Sequence, residues 1–192
     1  MKITLLGTSN AWGPNPFLSP PSPWPMTGTL SDGRGVQMRK YRTSLLVESR
    51  DGRKLLVECG PDFGHQLREF GFGEIDAILI SHPHNDHIGG LELLSLYRPT
   101  SRLPVPVYAS PYCWECMKTR HGVGNLIERG LVLEKTVPVD PGMTGASIGS
   151  VSVRSFPVEH SAMALGSVGF VFEETLNRKT TRALYTGDFW AL

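Results

Sequence analysis

An apolar run ends at Ile80, and the next seven residues present His82, His84, Asp86 and His87. No other stretch restricts the fold as much. A buried strand must deliver these side chains, and the turn after it must let them converge. In extended backbone, side chains two residues apart project to the same side, so His82 and His84 point at one spot. Asp86 and His87 follow where the chain bends into a helix and point at a neighbouring spot. The pattern reads as two adjacent cation sites rather than a solvated polar loop. Imidazole nitrogen with carboxylate oxygen suits zinc, manganese or iron(II), and does not suit calcium.

The remaining segments tell what could surround such a turn. "KITLLG" is a first short strand. "TSLLVES" and "KLLVECG" flank "RDGR", and Asp-Gly between apolar runs is a strong hairpin signal. Phe63, Leu67 and Phe70 have helical spacing behind Asp62, an N-cap or first-turn acid. "IDAILIS" is a buried strand, "GGLELLSLY" a helix starting near His87, "PVPVYAS" a strand and "PYCWECMKTRHG" a helix. "LVLEKTVPV", "GSVSVRSFPVEHS", "GSVGFVFEE" and "TRALYTGD" are strands joined by short turns. So many short connections argue against a doubly wound parallel sheet and for a layered sandwich with helices outside. Residues 8–41 form a long Pro/Gly-rich loop within a single 192-residue domain. Pro20, Pro21, Pro23 and Pro25 forbid helix there. Trp12, Phe17, Leu18, Trp24 and Met26 mark it as an ordered loop packed on the domain.

Composition narrows the setting. With 40% hydrophobic and 19% charged residues the chain has the make-up of a soluble globular protein. Its net charge of +1 neither requires nor excludes nucleic acid. Three cysteines make no disulfide framework, which points to a reducing, cytoplasmic compartment. No run approaches the roughly 18 apolar residues of a membrane span, so no membrane partner is expected. Cys113 and Cys116 form a CxxC with no second ligand pair nearby and read as helix packing.

His160 in "FPVEHS" and Asp188 in "YTGD" each end a strand-like run. Alone, each reads equally well as a turn residue. Beside the cluster they become candidate ligands, because a closed site needs contributions from distant strands. The set "HPHNDHIGG" after an apolar strand, then a later histidine, then a strand ending in Gly-Asp, resembles the metallo-β-lactamase superfamily. The resemblance runs through "LLGTS", "LLVECGPDFGHQL", "ILISHPHNDHIGGLELL", "FPVEHS" and "LYTGD". Within the superfamily the sequence is similar to ribonuclease Z and to cyclic phosphodiesterases acting on phosphoribosyl 1,2-cyclic phosphate.

The resemblance implies an α/β (α+β) fold, a four-layer αββα sandwich with metals at one edge between two sheets. It places His82, His84 and His160 on a first metal, Asp86 and His87 on a second, and Asp188 between them. Two divalent ions are implied, zinc foremost, with manganese or iron open. The implied activity is metal-dependent hydrolysis of a phosphodiester, with Asp86 and His84 at the reacting centre and Asp86 orienting the nucleophile. A small phosphodiester is the favoured substrate, and RNA stays open. A lactone or thioester hydrolase and a non-catalytic metal-binding subunit are the alternatives. Cys59 is expected beside the site, and Glu58, where relatives carry Asp, is a candidate acceptor behind a histidine ligand or else a surface acid. Of the basic stretch Arg34, Arg39, Lys40 and Arg42, Arg39 and Arg42 are assigned to substrate phosphate. The superfamily pattern carries one more histidine beyond the bridging aspartate, while Asp188 lies four residues before Leu192. With His65 read as a surface residue or an outer partner of a ligand, and His121 as a solvated loop residue, the second site is expected one ligand short and the C-terminal part short. A sheet edge left open there would favour self-association.

Overall fold

The central strands are apolar along their middles because both of their faces are covered. In β4 (Ser44–Glu48), β5 (Lys54–Val57) and β6 (Ala77–Leu79) the side chains alternate between two separate cores. Leu46, Leu56 and Ile78 enter one core; Leu45, Val47, Leu55, Val57, Ala77 and Leu79 enter the other. That period of two is the strand geometry itself. Each of these leucine, valine and isoleucine side chains contributes about 1.5–3 kcal/mol by leaving water. The computed structural model describes residues 1–9, 11, 26–29, 35–38, 41–96, 103–139, 145–161 and 164–188.

Six strands form the first sheet, in the order β1-β4-β5-β6-β7-β8, with β1 at Lys2–Gly7, β7 at Val105–Ala109 and β8 at Val132–Thr136. β1, β4 and β5 are antiparallel, whereas β5 through β8 are parallel. The parallel half was not legible from the short turns. It follows from the helices between those strands: α1 (Phe63–Phe70), α2 (Asn85–Ile88), α3 (Pro111–Arg120) and α4 (Val123–Glu128). Their apolar faces, including Phe63, Ile88, Trp114, Met117 and Leu126, all enter the first core.

The second sheet is an antiparallel meander, β9 (Ala146–Ile148), β10 (Val151–Pro157), β11 (Val168–Leu176) and β12 (Lys179–Tyr185). Val151, Val153, Val168, Phe170 and Phe172 face the first sheet across the second core. Three layers are thus described: helices, a mixed sheet and an antiparallel sheet. No described helix is long and apolar enough to cross a membrane.

Some expectations shift in detail. Within the proline-rich region, β2 (Met26–Thr29) and β3 (Gly35–Met38) pair as a hairpin; Trp12, Phe17, Leu18 and Trp24 lie outside the described residues. Asp62 sits at the N-cap of α1 without capping it, because its carboxylate accepts the Arg42 amide and guanidinium instead. The helix expected near His87 begins at Asn85, and a 3₁₀ turn at Leu91–Ser95 replaces its continuation. The break has a steric reason. A Cβ on Gly90 would lie 2.1 Å from the Gly60 carbonyl oxygen, and one on Gly60 would lie 2.0 Å from that of Asp86. Only glycine lets the histidine turn press so closely on the end of β5.

Candidate metal centre

Strand direction gathers the site. β5, β6 and β7 are parallel, so the residues following them leave one edge of the first sheet: Glu58 after β5, His82 after β6. In the second sheet, β10 and β12 run toward the same edge and release His160 and Asp188 there. The edges are stitched together, since the Val168 amide donates to the Ser81 carbonyl at 3.0 Å. Beneath the turn, the Cys59 amide donates to the His87 carbonyl at 2.7 Å and the Gly90 amide to the Cys59 carbonyl at 2.8 Å. Cys59 is buried beside the site, as expected.

Three imidazoles meet there. His82 Nε2 lies 3.1 Å from His84 Nδ1, and His160 Nε2 lies 3.1 Å from the same atom. In a tetrahedral site with bonds of about 2.0–2.1 Å, ligand atoms stand about 3.3 Å apart. The two spacings to His84 therefore match a coordination shell, and all three ligand atoms lie within 4.8 Å of one another. The Ser81 hydroxyl lies 2.9 Å from His82 Nδ1, which leaves His82 Nε2 to face its neighbours.

A second group lies alongside. His87 Nε2 is 3.1 Å from Asp86 Oδ2 and 3.7 Å from Asp188 Oδ2. His82, His87 and Asp188 also converge as a possible ligand set. On the far side of His87, Nδ1 is 3.3 Å from Glu58 Oε2. That is ion-pair distance without hydrogen-bond alignment, since Nδ1 has no bonded partner. Glu58 is wholly buried and adopts a left-handed backbone, φ 63°. Its carboxylate also receives the Ser81 amide at 3.3 and 3.4 Å and the Tyr185 hydroxyl at 3.1 Å.

The electrostatics follow from crowding. The imidazoles of His82, His84, His87 and His160 pack with ring centroids 4.0 to 4.9 Å apart. Burial, reinforced by the charges of His87, His160 and His84, drives the His82 pKa far below its usual value. Burial, with His160 beside it, lowers His84 too. Burial also opposes charge on His87, but Glu58, Asp188 and Asp86 outweigh it and push His87 up to about 12. So His82 and His84 offer neutral lone pairs, while in the metal-free site a proton on His87 balances the carboxylates and must leave before its Nε2 can bind an ion. Donors of this kind, nitrogen plus carboxylate in two adjoining groups, fit transition-metal dications.

A family model described as "Anti-Pycsar protein Apyc1" matches residues 26–191. The chain belongs to this family. An anti-Pycsar protein Apyc1 of Bacillus phage 010DV004 is 43% identical over 74 residues, 38% of this chain and 28% of that protein. A ribonuclease Z of Alkaliphilus oremlandii is 30% identical over 163 residues, 71% of this chain and 48% of that protein. Among solved structures, a diphosphatase of the PhnP family superposes with a TM-score of 0.68 at 26% identity, covering 88% of this chain and 61% of that one. The fold is the metallo-β-lactamase sandwich. The chain spans less than half the length of these two curated relatives.

Against this family background, His82, His84, Asp86, His87, His160 and Asp188 come together from three strand ends and one turn. Arg42, assigned to substrate phosphate, is already engaged within the chain. Its guanidinium is paired with Asp62 at 3.1 Å and its Nε donates to the Ala11 carbonyl at 3.0 Å. Arg39 lies outside the described residues. His65 stacks on Tyr41 at the surface, and His121 is the exposed C-cap of α3. Cys113 is buried in the core and Cys116 half-buried, both free. Sequence reasoning missed Ser81 and Tyr185. A tyrosine closing a strand three residues before a ligand was the available signal for the second.

Proposed function

We propose that the site is a two-cation hydrolytic centre acting on phosphodiesters, small and cyclic ones foremost. The observation that carries this reading is the meeting of His82 and His160 at His84, each 3.1 Å from its Nδ1, beside the His87, Asp86 and Asp188 group. His82, His84 and His160 would hold one ion; Asp86 and His87 would hold the other, with Asp188 facing both. Two divalent ions there, zinc foremost, would supply a water activated near neutral pH and charge neutralisation on phosphate oxygens. The chain's own residues set the stage. Neutral His82 and His84 supply lone pairs, and the Ser81 hydroxyl, 2.9 Å from His82 Nδ1, is placed to accept its N–H and leave Nε2 free. Asp86, with its side chain 14% exposed, is placed to orient a nucleophile. Kinship with ribonuclease Z and with a diphosphatase supports phosphorus over carbon as the electrophile.

The test is elemental analysis of the purified protein joined to a substrate panel: a 3′,5′-cyclic nucleotide, bis-p-nitrophenyl phosphate, a tRNA precursor and a lactone. The expected result is two transition metals per chain and turnover of the small diesters. Lactone turnover without diester turnover overturns the phosphorus reading, and one metal with no turnover at all makes the protein a metal-binding subunit.

A further inference from the structure

We infer that Tyr185 is a positioning residue, whose hydroxyl holds Glu58 against His87 and so sets the second cation group. The inference rests on the two-cation reading above. Tyr185 closes β12, three residues before Asp188, and belongs to the second sheet. Glu58 follows β5 and belongs to the first. Their hydrogen bond, 3.1 Å from the Tyr185 oxygen to Oε1, therefore spans the two layers at the site.

A wholly buried carboxylate needs donors, because an unpaired buried charge is costly. The Ser81 amide reaches Glu58 only at 3.3 and 3.4 Å, and His87 Nδ1 lies at 3.3 Å without alignment. Tyr185 makes the shortest contact of the three partners. It alone comes from the sheet that carries Asp188. Ser81 in turn touches His82, so one carboxylate is linked to His87 directly, to His82 through Ser81 and to the Asp188 strand through Tyr185. Without the hydroxyl, Oε1 keeps one long amide contact. The carboxylate is then free to turn, and His87 loses the partner that leaves its Nε2 toward Asp86 and Asp188. Outer partners of ligating histidines commonly tune metal affinity by about 10–100-fold.

The experiment is zinc titration of metal-free wild type and Tyr185→Phe against a chromophoric chelator, with both binding steps resolved, repeated in a Glu58→Gln background. Melting of the metal-free proteins is followed alongside. The expected result is a weakening of the second step by about 10–100-fold in Tyr185→Phe, with the first step held and the metal-free melting temperature lowered no further than the loss of one hydrogen bond to a charged group accounts for. In the Glu58→Gln background Tyr185→Phe adds no further loss. Equal affinities at both steps overturn the inference alone. So does an equal loss at both steps with lowered melting, which marks a packing role, or an undiminished loss in the Glu58→Gln background. A wild type that binds a single zinc overturns the two-cation reading first, and this inference with it.

Discussion

Two buried glutamates tie the sheets together at opposite ends of the sandwich, and they are served differently. Glu174 lies on β11, six residues beyond Val168 at the metal edge, or about 20 Å along a strand. Its carboxylate receives the Arg50 amide at 2.8 Å, the Ser150 hydroxyl at 2.5 Å and the Met1 amino group. Glu58, at the metal edge, has no donor nearer than 3.1 Å among the described residues. A carboxylate saturated with short donors is an anchor. One with longer contacts, beside a histidine, still has lone pairs to lend. The far end of the sandwich is built for cohesion, and the near end trades cohesion for chemistry.

The sharpest way to break this contrast is to remove a ligand. His84→Ala is expected to lose metal and to lower kcat/KM by more than about 100-fold, the ceiling for an outer partner. Melting of the metal-free protein should barely change, because His84 is only half-buried; calorimetry beside the assay checks both. Exchanging each glutamate comes next. Glu58→Gln should weaken metal binding by about 10–100-fold with little loss of metal-free stability. Glu174→Gln should do the reverse, costing about 1–3 kcal/mol in urea unfolding while metal stoichiometry stays at the wild-type value. If both variants shift the same property, the two ends do not differ as described.

The smallest effect is in acid. Burial favours the neutral form of Glu174, but the Arg50 amide, the Met1 amino group and Ser150 outweigh it and hold its pKa down to about 2. A depressed carboxyl contributes stability that is full above the unfolded value of about 4.3. That stability fades as pH falls from there through about 2. Acid titration of metal-free wild type should show this component, and Glu174→Gln should lack it.

Spacing made much of this legible, and three-dimensional pairing hid the rest. Three histidines and an aspartate within six positions declared the centre, because only a strand end and a turn can host them together. The Asp-Gly hairpin between β4 and β5 was equally open to reading; Gly52 takes the positive φ, 83°, that the turn demands. The pairing of Arg42 was hidden, since nothing in a local string of basic residues reveals that Asp62, twenty positions on, contacts the guanidinium. Tyr185 and Glu58 stand 127 residues apart, and no periodicity joins them. The helix break at Gly90 was likewise set by a partner, the carbonyl of Gly60, that lies in another part of the sequence.

The left-handed backbone at Glu58 has a practical consequence for anyone improving this protein. Asn177 and Arg178, the other described non-glycine residues with positive φ, sit together in the turn between β11 and β12. Glu58 bears its strain alone, of the order of 1–2 kcal/mol. A thermostability screen would tend to replace it with glycine or asparagine, which relax that conformation. Such variants would relax the backbone but give up the carboxylate behind His87, so selections on this scaffold need a metal-binding readout at every round.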